Sequence, residues 1–158
     1  MKKSILILLV STFILSMALQ AQNLPYKAEY SSNFKMGSHD LSKMILELYK
    51  DYEGNVFSKD AWFADTVIAQ LPDGQIIRGK AEVINTFKKG RESDGNTTFT
   101  MDAIIPLISV DRNENWVALW GSTETSQGKI DFQSIWRVNK DKKVDFVRFF
   151  NSAPAKQQ

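Results

Sequence analysis

The stretch "AWFADTVIAQLPDGQIIRGKAEVINTF", residues 61–87, decides how the chain is organised. Two short runs with strand character, Thr66–Gln70 and Gln75–Arg78, flank Leu71-Pro72-Asp73-Gly74. Pro sets its own φ, Asp bonds to nearby backbone and Gly accepts positive φ, so this order predicts a turn joining two strands. Gly79 breaks the second strand, and Ala81, Val83, Ile84 and Phe87 then follow helical spacing over Lys80–Lys89. Gly90 is expected to stop that helix. Asp65, in the triplet Phe63-Ala64-Asp65, has two readings: a pocket acid whose pKa burial raises, or a turn residue accepting backbone N–H bonds. The second is preferred.

Upstream, Leu41, Met44, Ile45, Leu48, Tyr49 and Tyr52 recur at the spacing of one helix face, with Ser38 or Asp40 as N-cap and Gly54 as terminator. A second short helix is expected over Val56–Trp62. Downstream the pattern turns to four β-rich runs, Thr97–Val110, Trp116–Thr125, Lys129–Val138 and Val144–Asn151. Their short polar connections predict antiparallel neighbours. Pro106 marks a bulge or an edge in the first run. Helices followed by a β-meander indicate an α+β domain with helices covering one face of a curved sheet.

The ends have a different character. Met1-Lys2-Lys3, the apolar run Ile5–Leu15 and the small residues of "SMALQAQ" have the order of a secretory signal peptide, and the apolar run is short for a bilayer span. Cleavage is expected after Ala21, with Ala18 as second choice and an uncleaved anchor as the alternative. Residues 1–21 are thus a leader, 22–37 a polar flexible tether, 38–151 the domain and 152–158 a frayed tail. The reading is of an exported protein, periplasmic or secreted, with no membrane association after cleavage. Loss of Lys2 and Lys3 from the 20 Lys and Arg leaves a balance with the 18 Asp and Glu, against +2 for the whole chain. That balance gives no support for nucleic-acid binding, which requires clustered cations. No cysteine is present, which excludes disulfides, thiolate metal sites, a cysteine nucleophile and a lipid-modified cysteine. One histidine and scattered carboxylates offer no metal-ligand spacing. "GRESDGNTT" reads as a solvated loop. No cofactor is expected.

A turn at Gln127-Gly128 would set Gly121 opposite Ser134, Leu119 opposite Trp136 and Val117 opposite Val138, with Trp120 opposite Ile135 on the reverse face. Both faces then carry apolar residues, where a single-sided sheet has one polar face. The face bearing Trp120 and Ile135 is expected to form a homodimer contact; packing under a terminal segment is the alternative.

The chain resembles the nuclear transport factor 2-like (NTF2-like) superfamily, in particular its SnoaL-like members of bacterial exported type. The residues that carry the resemblance are "DLSKMILELYKDY", "AWFADTVIAQLPDGQIIRGKAEVINTF", "NWVALWGSTE" and "SIWRVNKDKKVDFVRFFN", in that order over Asp40–Asn151. It implies a cystatin-like cone in which a bent antiparallel sheet wraps around three helices from the N-terminal half and encloses a pocket. Dimers through the outer sheet face are common in that superfamily, whose functions are diverse, so fold alone does not assign one.

Ketosteroid isomerase, the catalytic relative with the best-defined chemistry, implies a carboxylate base, a tyrosine and a protonated acid. Aligned on Phe63-Ala64-Asp65, the base position falls on Leu71 and the acid position on Ser134, while Tyr49 lies within a helical turn of the tyrosine position near Leu48. That chemistry is not expected. His39, the single histidine, is read as a surface or capping residue. An arginine between two carboxylates, as in epoxide-hydrolase relatives, would have to come from Asp131, Asp145 and Arg148, which strand alternation does not bring together.

The same comparison implies a cone lined by Tyr49, Trp62, Leu71, Leu119, Ser134, Trp136, Val147, Phe149 and Asn151, with Asp145 on that face. Asp145 with Tyr49 is the nearest approach to a catalytic pair. Three functions follow: binding of a small, largely apolar molecule with a polar group at Ser134 or Asn151; acid–base catalysis; and a structural or interaction domain with a closed pocket. A cavity below about 300 Å³ points to the third.

Overall fold

A computed structural model of the chain describes residues 28–56, 62–126 and 128–151. The expected leader and the tail 152–158 lie outside the described residues, as does most of the short helix expected over 56–62. Two units divide the chain, Met1–Tyr30 and Ser31–Gln158, and the helices and strands of the described residues belong to the second.

The strands are β1 (Phe34–Met36), β2 (Phe63–Gln70), β3 (Ile76–Arg78), β4 (Thr98–Ser109), β5 (Glu114–Thr125), β6 (Gly128–Val138) and β7 (Val144–Asn151). The helices are α1 (His39–Glu53) and α2 (Lys80–Asp94). One seven-stranded sheet runs β1-β4-β5-β6-β7-β2-β3. All neighbours are antiparallel except β2 and β7, which run parallel. The bent sheet packs α1 against β4 and β5, and α2 against β2 and β3.

Helix α1 forms where its apolar stripe predicts. The Ser38 hydroxyl accepts the Asp40 N–H at 3.2 Å, and the Gly54 N–H closes onto the Lys50 carbonyl at 3.1 Å. Ile45, Leu48 and Tyr49 are buried against Val83 and Phe87 of α2 and the inner side chains of β2, β5, β6 and β7. Ala81, expected on the buried stripe of α2, is exposed. The β2–β3 turn is built as its residues dictate: Gly74 takes φ +89° and Asp73 accepts the Gln75 N–H at 2.9 Å.

Four expectations need correction. The tether over 22–37 ends early, because Phe34–Met36 pairs with Ser109–Leu107 as β1. Three residues with exposed side chains leave no periodicity to read. Pro106 lies where β4 passes from its pairing with β1 to a free edge, as one reading required. The bulge of that strand falls earlier, between Met101 and Ala103. There a Cβ on Gly121 would collide with the Thr100 carbonyl oxygen, so the close backbone approach requires glycine.

The β5–β6 register is the third. Thr125 pairs with Gly128, which sets Leu119 opposite Ser134, Val117 opposite Trp136 and Trp120 opposite Gln133. The expected register slips by two residues in partner position. An even slip preserves the faces, because side chains alternate with period two.

Last, Gly90 does not stop α2. The helix continues to Asp94, and Gly95 ends it at φ +68°. A mid-helix glycine costs about 1 kcal/mol relative to alanine, and here it serves packing: a Cβ on Gly90 would stand 3.2 Å from the Tyr52 hydroxyl oxygen. The extra turn is tied down by Arg91. Its Nε donates to the Tyr52 and Glu53 carbonyls at 3.0 and 3.1 Å, its Nη2 to Glu53 at 2.8 Å, and its Nη1 to the Gly95 carbonyl. One guanidinium thereby satisfies carbonyl groups at the C-terminal ends of both helices, where the helix dipole also favours a cation. Arg91→Met, which keeps the apolar stem, is expected to cost about 2–3 kcal/mol by removing the charged donor to all three carbonyls, the Tyr52 carbonyl keeping the Asn55 N–H. Urea unfolding of the variant against the parent protein measures this; an unchanged midpoint would remove Arg91 from that role.

Candidate binding cavity

Between the helices and the inner face of the sheet lies a cavity of about 230 Å³. Its walls come from α1 (Leu48, Tyr49, Tyr52), α2 (Thr86, Phe87, Gly90, Asp94) and the β2–β3 turn (Leu71, Pro72). The sheet adds Phe99, Thr123, Phe132, Trp136, Phe149 and Asn151. Pro72 and Asn151 are exposed and mark the mouth.

Seven aromatic rings enclose this space. Most neighbouring rings meet at steep angles: Tyr49 with Phe99 at 83° and 4.8 Å, Tyr52 with Phe99 at 63° and 5.8 Å, and Trp136 with Phe149 at 87° and 5.4 Å. Edge-to-face packing suits the ring quadrupoles. Only Tyr49 with Phe132, at 25°, is stacked among the ring pairs of the described residues.

Two polar pairs interrupt the apolar wall. Ser134 Oγ accepts the Trp136 Nε1–H at 2.8 Å and forms a 2.9 Å hydrogen bond with the Tyr49 hydroxyl, in which either O–H can donate. All three side chains are buried. At the other end the Tyr52 hydroxyl donates to Asp94 Oδ2 at 3.0 Å. Burial raises the pKa of the Tyr49 phenol well above its ordinary value, which its hydrogen bonds only partly offset. Burial, followed by the charge of Asp94, does the same to Tyr52. The Thr123 hydroxyl in the wall is buried without a protein partner.

Of the residues expected to line the cone, Tyr49, Leu71, Trp136, Phe149 and Asn151 do so. Leu119 and Val147 are fully buried core behind the wall. Ser134 is also fully buried, and its hydroxyl is committed to Tyr49 and Trp136 instead of facing a ligand. Trp62 packs against the core from the outside, its Nε1 donating to Asp51 Oδ2 at 2.7 Å.

Asp145 is not in the cavity. The β6–β7 pairing is irregular there, with Val138 opposite Val144 but Arg137 opposite Phe146. The extra residue reverses the alternation, so Val144 and Val147 both enter the core. The Asp145 carboxylate meets Arg137 Nε at 2.8 Å, on the side of the sheet away from Tyr49. Arg137 also bonds Glu114 at 3.2 Å and lies over the rings of Trp116 and Phe146. Burial works against its charge, and the two carboxylates outweigh that, leaving its pKa raised. An arginine between two carboxylates therefore exists, built on Asp145 as considered in the sequence but with Arg137 and Glu114 in place of Arg148 and Asp131, and none of the three lines the cavity. Arg148 stacks on Phe150 and Asp131 is exposed.

Asp65 is an exposed residue of β2 whose carboxylate pairs with Lys80 at 2.9 Å, across the start of α2. That bond to Lys80 lowers its pKa. It is scaffold. His39 is the exposed first residue of α1. Among the described residues, no group of three or more His, Asp or Glu side chains could hold a metal ion, and no helix is long and apolar enough to cross a membrane.

The other ten lining residues are not among those expected, and they include the hydrogen-bonded pair Tyr52 and Asp94. Tyr52 belongs to the helical stripe. Asp94 falls in the solvated loop expected after Gly90, which the helix in fact runs through. Phe87, Gly90 and Asp94 stand at i, i+3 and i+7, which is one helix face, and that spacing was the available signal.

No family model matches the sequence, and no curated protein matches it either. Solved structures do match in shape. A Kribbella flavida protein described as a candidate ketosteroid isomerase superposes with a TM-score of 0.61 at 14% identity, covering 78% of this chain and 85% of its own. An NTF2-like protein of unknown function from Burkholderia xenovorans gives 0.59 at 15%, over 76% and 88%. The orange carotenoid protein of Anabaena, solved with canthaxanthin, gives 0.61 at 16%, over 85% of this chain and 41% of its own. The chain has the NTF2-like, cystatin-like α+β fold. Two helices are present among the described residues where three were expected.

Both cavity phenols constrain the alkaline limit of stability. An acid whose pKa is higher in the folded state contributes fully below its unfolded value, about pH 10 for tyrosine, and that contribution is lost as pH rises further. Tyr49 and Tyr52 should remain protonated until the domain unfolds. Tyrosinate absorbance followed with circular dichroism should show them ionising together with loss of structure above about pH 10. Titration of all tyrosines near pH 10 in a still-folded protein would contradict their burial.

Proposed function

We propose that the domain is an exported, SnoaL-like binding protein for a small, largely apolar molecule. The observation that carries this is the ring-walled cavity with its mouth at Pro72 and Asn151. Small-molecule pockets have this make-up: apolar and aromatic walls with a few fixed polar groups. The size limits the ligand. At about 230 Å³ the cavity is below the roughly 300 Å³ typical for drug-sized ligands. Yet an apolar cavity of about 150 Å³ takes up benzene, so a one-ring molecule is the appropriate scale. The volume falls on the side set for a closed domain, and the open mouth is what favours binding over that reading.

No catalysis is proposed. Leu71 stands at the mouth where the isomerase resemblance implies a base, and the pair Asp145 and Tyr49 is separated by the sheet. The apolar core of residues 5–15 and the small residues after it support export to the periplasm or beyond. The half-buried Trp120 and Ile135 on the outer face support a homodimer.

In a thermal-shift panel of one-ring compounds, Trp136→Ala should abolish stabilisation by any compound that raises the parent's midpoint, whereas Trp120→Ala should retain it. Equal losses in both variants would refute the assignment of faces, and a panel without a single shift would refute binding. For assembly, Trp120→Glu should convert dimer to monomer in sedimentation velocity. An unchanged profile would rule out that interface.

A further inference from the structure

The cavity carries a charge that its apolar walls do not explain. Among the described residues Asp94 is its only charged lining residue, with no Lys, Arg or His beside it in the wall. The carboxylate accepts the Tyr52 hydroxyl and forms no ion pair among the described residues. Arg91, one helical turn away, is occupied elsewhere, its guanidinium held by the carbonyls of Tyr52, Glu53 and Gly95. Asp94 is half-buried, and a carboxylate in a largely apolar wall attracts a cation more strongly than one in open water. Around Asp94 the rings of Tyr52, Phe87 and Phe99 stand at steep angles, Tyr52 to Phe87 at 74° and Tyr52 to Phe99 at 63°. Aromatic faces attract ammonium groups, most strongly where water is excluded.

We propose that the cavity selects an organic cation, a quaternary or protonated amine with one apolar arm. Its charge is held between Asp94 and the rings of Tyr52 and Phe99, and its arm lies toward Trp136 and Phe149. This rests on the binding reading above and deepens it: the apolar walls accept the body of the ligand, while Asp94 decides the sign of its head.

The test compares phenyltrimethylammonium with its neutral isostere tert-butylbenzene by quenching of tryptophan fluorescence. Three proteins are used: the parent, Asp94→Asn and Tyr52→Phe. The parent should bind the cation roughly tenfold or more tightly than the isostere. Asp94→Asn keeps the shape and an acceptor for Tyr52 but removes the charge, so the preference should fall to near unity. Tyr52→Phe keeps ring and charge, so most of the preference should survive. If the isostere binds the parent as well as the cation does, the cation proposal is overturned while apolar binding stands. If neither probe binds the parent, both readings fall. Should Asp94→Asn fail to fold by circular dichroism, the parent's ratio with that of Tyr52→Phe still decides.

Discussion

One guanidinium sets the geometry of the cavity. Helices α1 and α2 end beside each other, and helix ends leave carbonyls without partners. Two such ends brought together would repel and would need water, yet Tyr52 and Asp94, in the last turn of each, also have to form a wall. Arg91 resolves this by bonding carbonyls from both ends. The other contacts at this corner follow from it. Glu53 accepts the Phe99 N–H at 2.8 Å, and both the N–H and the hydroxyl of Ser126 donate to the Asp94 carbonyl at 3.0 Å. These bonds fix the start of β4 and the end of β5 relative to the helices. With the corner fixed, Tyr52 lies over Gly90 and its hydroxyl reaches Asp94.

The opposite end of the cavity depends on a different device. Ser134 is small and fully buried, and its oxygen holds both the Trp136 indole and the Tyr49 phenol. The indole and phenol stand 5.7 Å apart at 71°, so a serine, and not ring-to-ring stacking, sets their angle. A carboxyl group at this position would aim an acid at the cavity. The hydroxyl acts as a bracket, which is one reason the familiar chemistry of the fold is not legible here.

Most of the fold was legible because its signals are local. The α1 stripe, the Leu71–Gly74 turn and the four long strands come from side-chain period and turn chemistry, and each survives in place. What failed was where one residue changes the count. Gly90 looks like a stop, but packing under Tyr52 offsets its propensity. The extra residue between Arg137 and Phe146 reverses the faces of β7 just at Asp145, and a bulge has no signature in alternation alone. The β5–β6 register was misread by an even number, and the faces were therefore right despite the wrong partners. The site was legible only where it coincided with the core pattern, as at Tyr49, Trp136 and Phe149. Asp94 was hidden behind the misplaced helix end.

The parallel pairing of β2 with β7 joins residues near the start of the domain to its last strand. Until Val144–Asn151 exist, β2 has an open edge, and the strand that joins it to the meander follows every other described strand in the chain. Such long-range pairing slows folding, because the intervening loop must be ordered before the contact forms. A chain emerging in order would hold its hairpins and helix α1 only loosely and complete its core in one late step. Late closure has a consequence for synthesis: the core stays open on the β2 side until β7 has emerged.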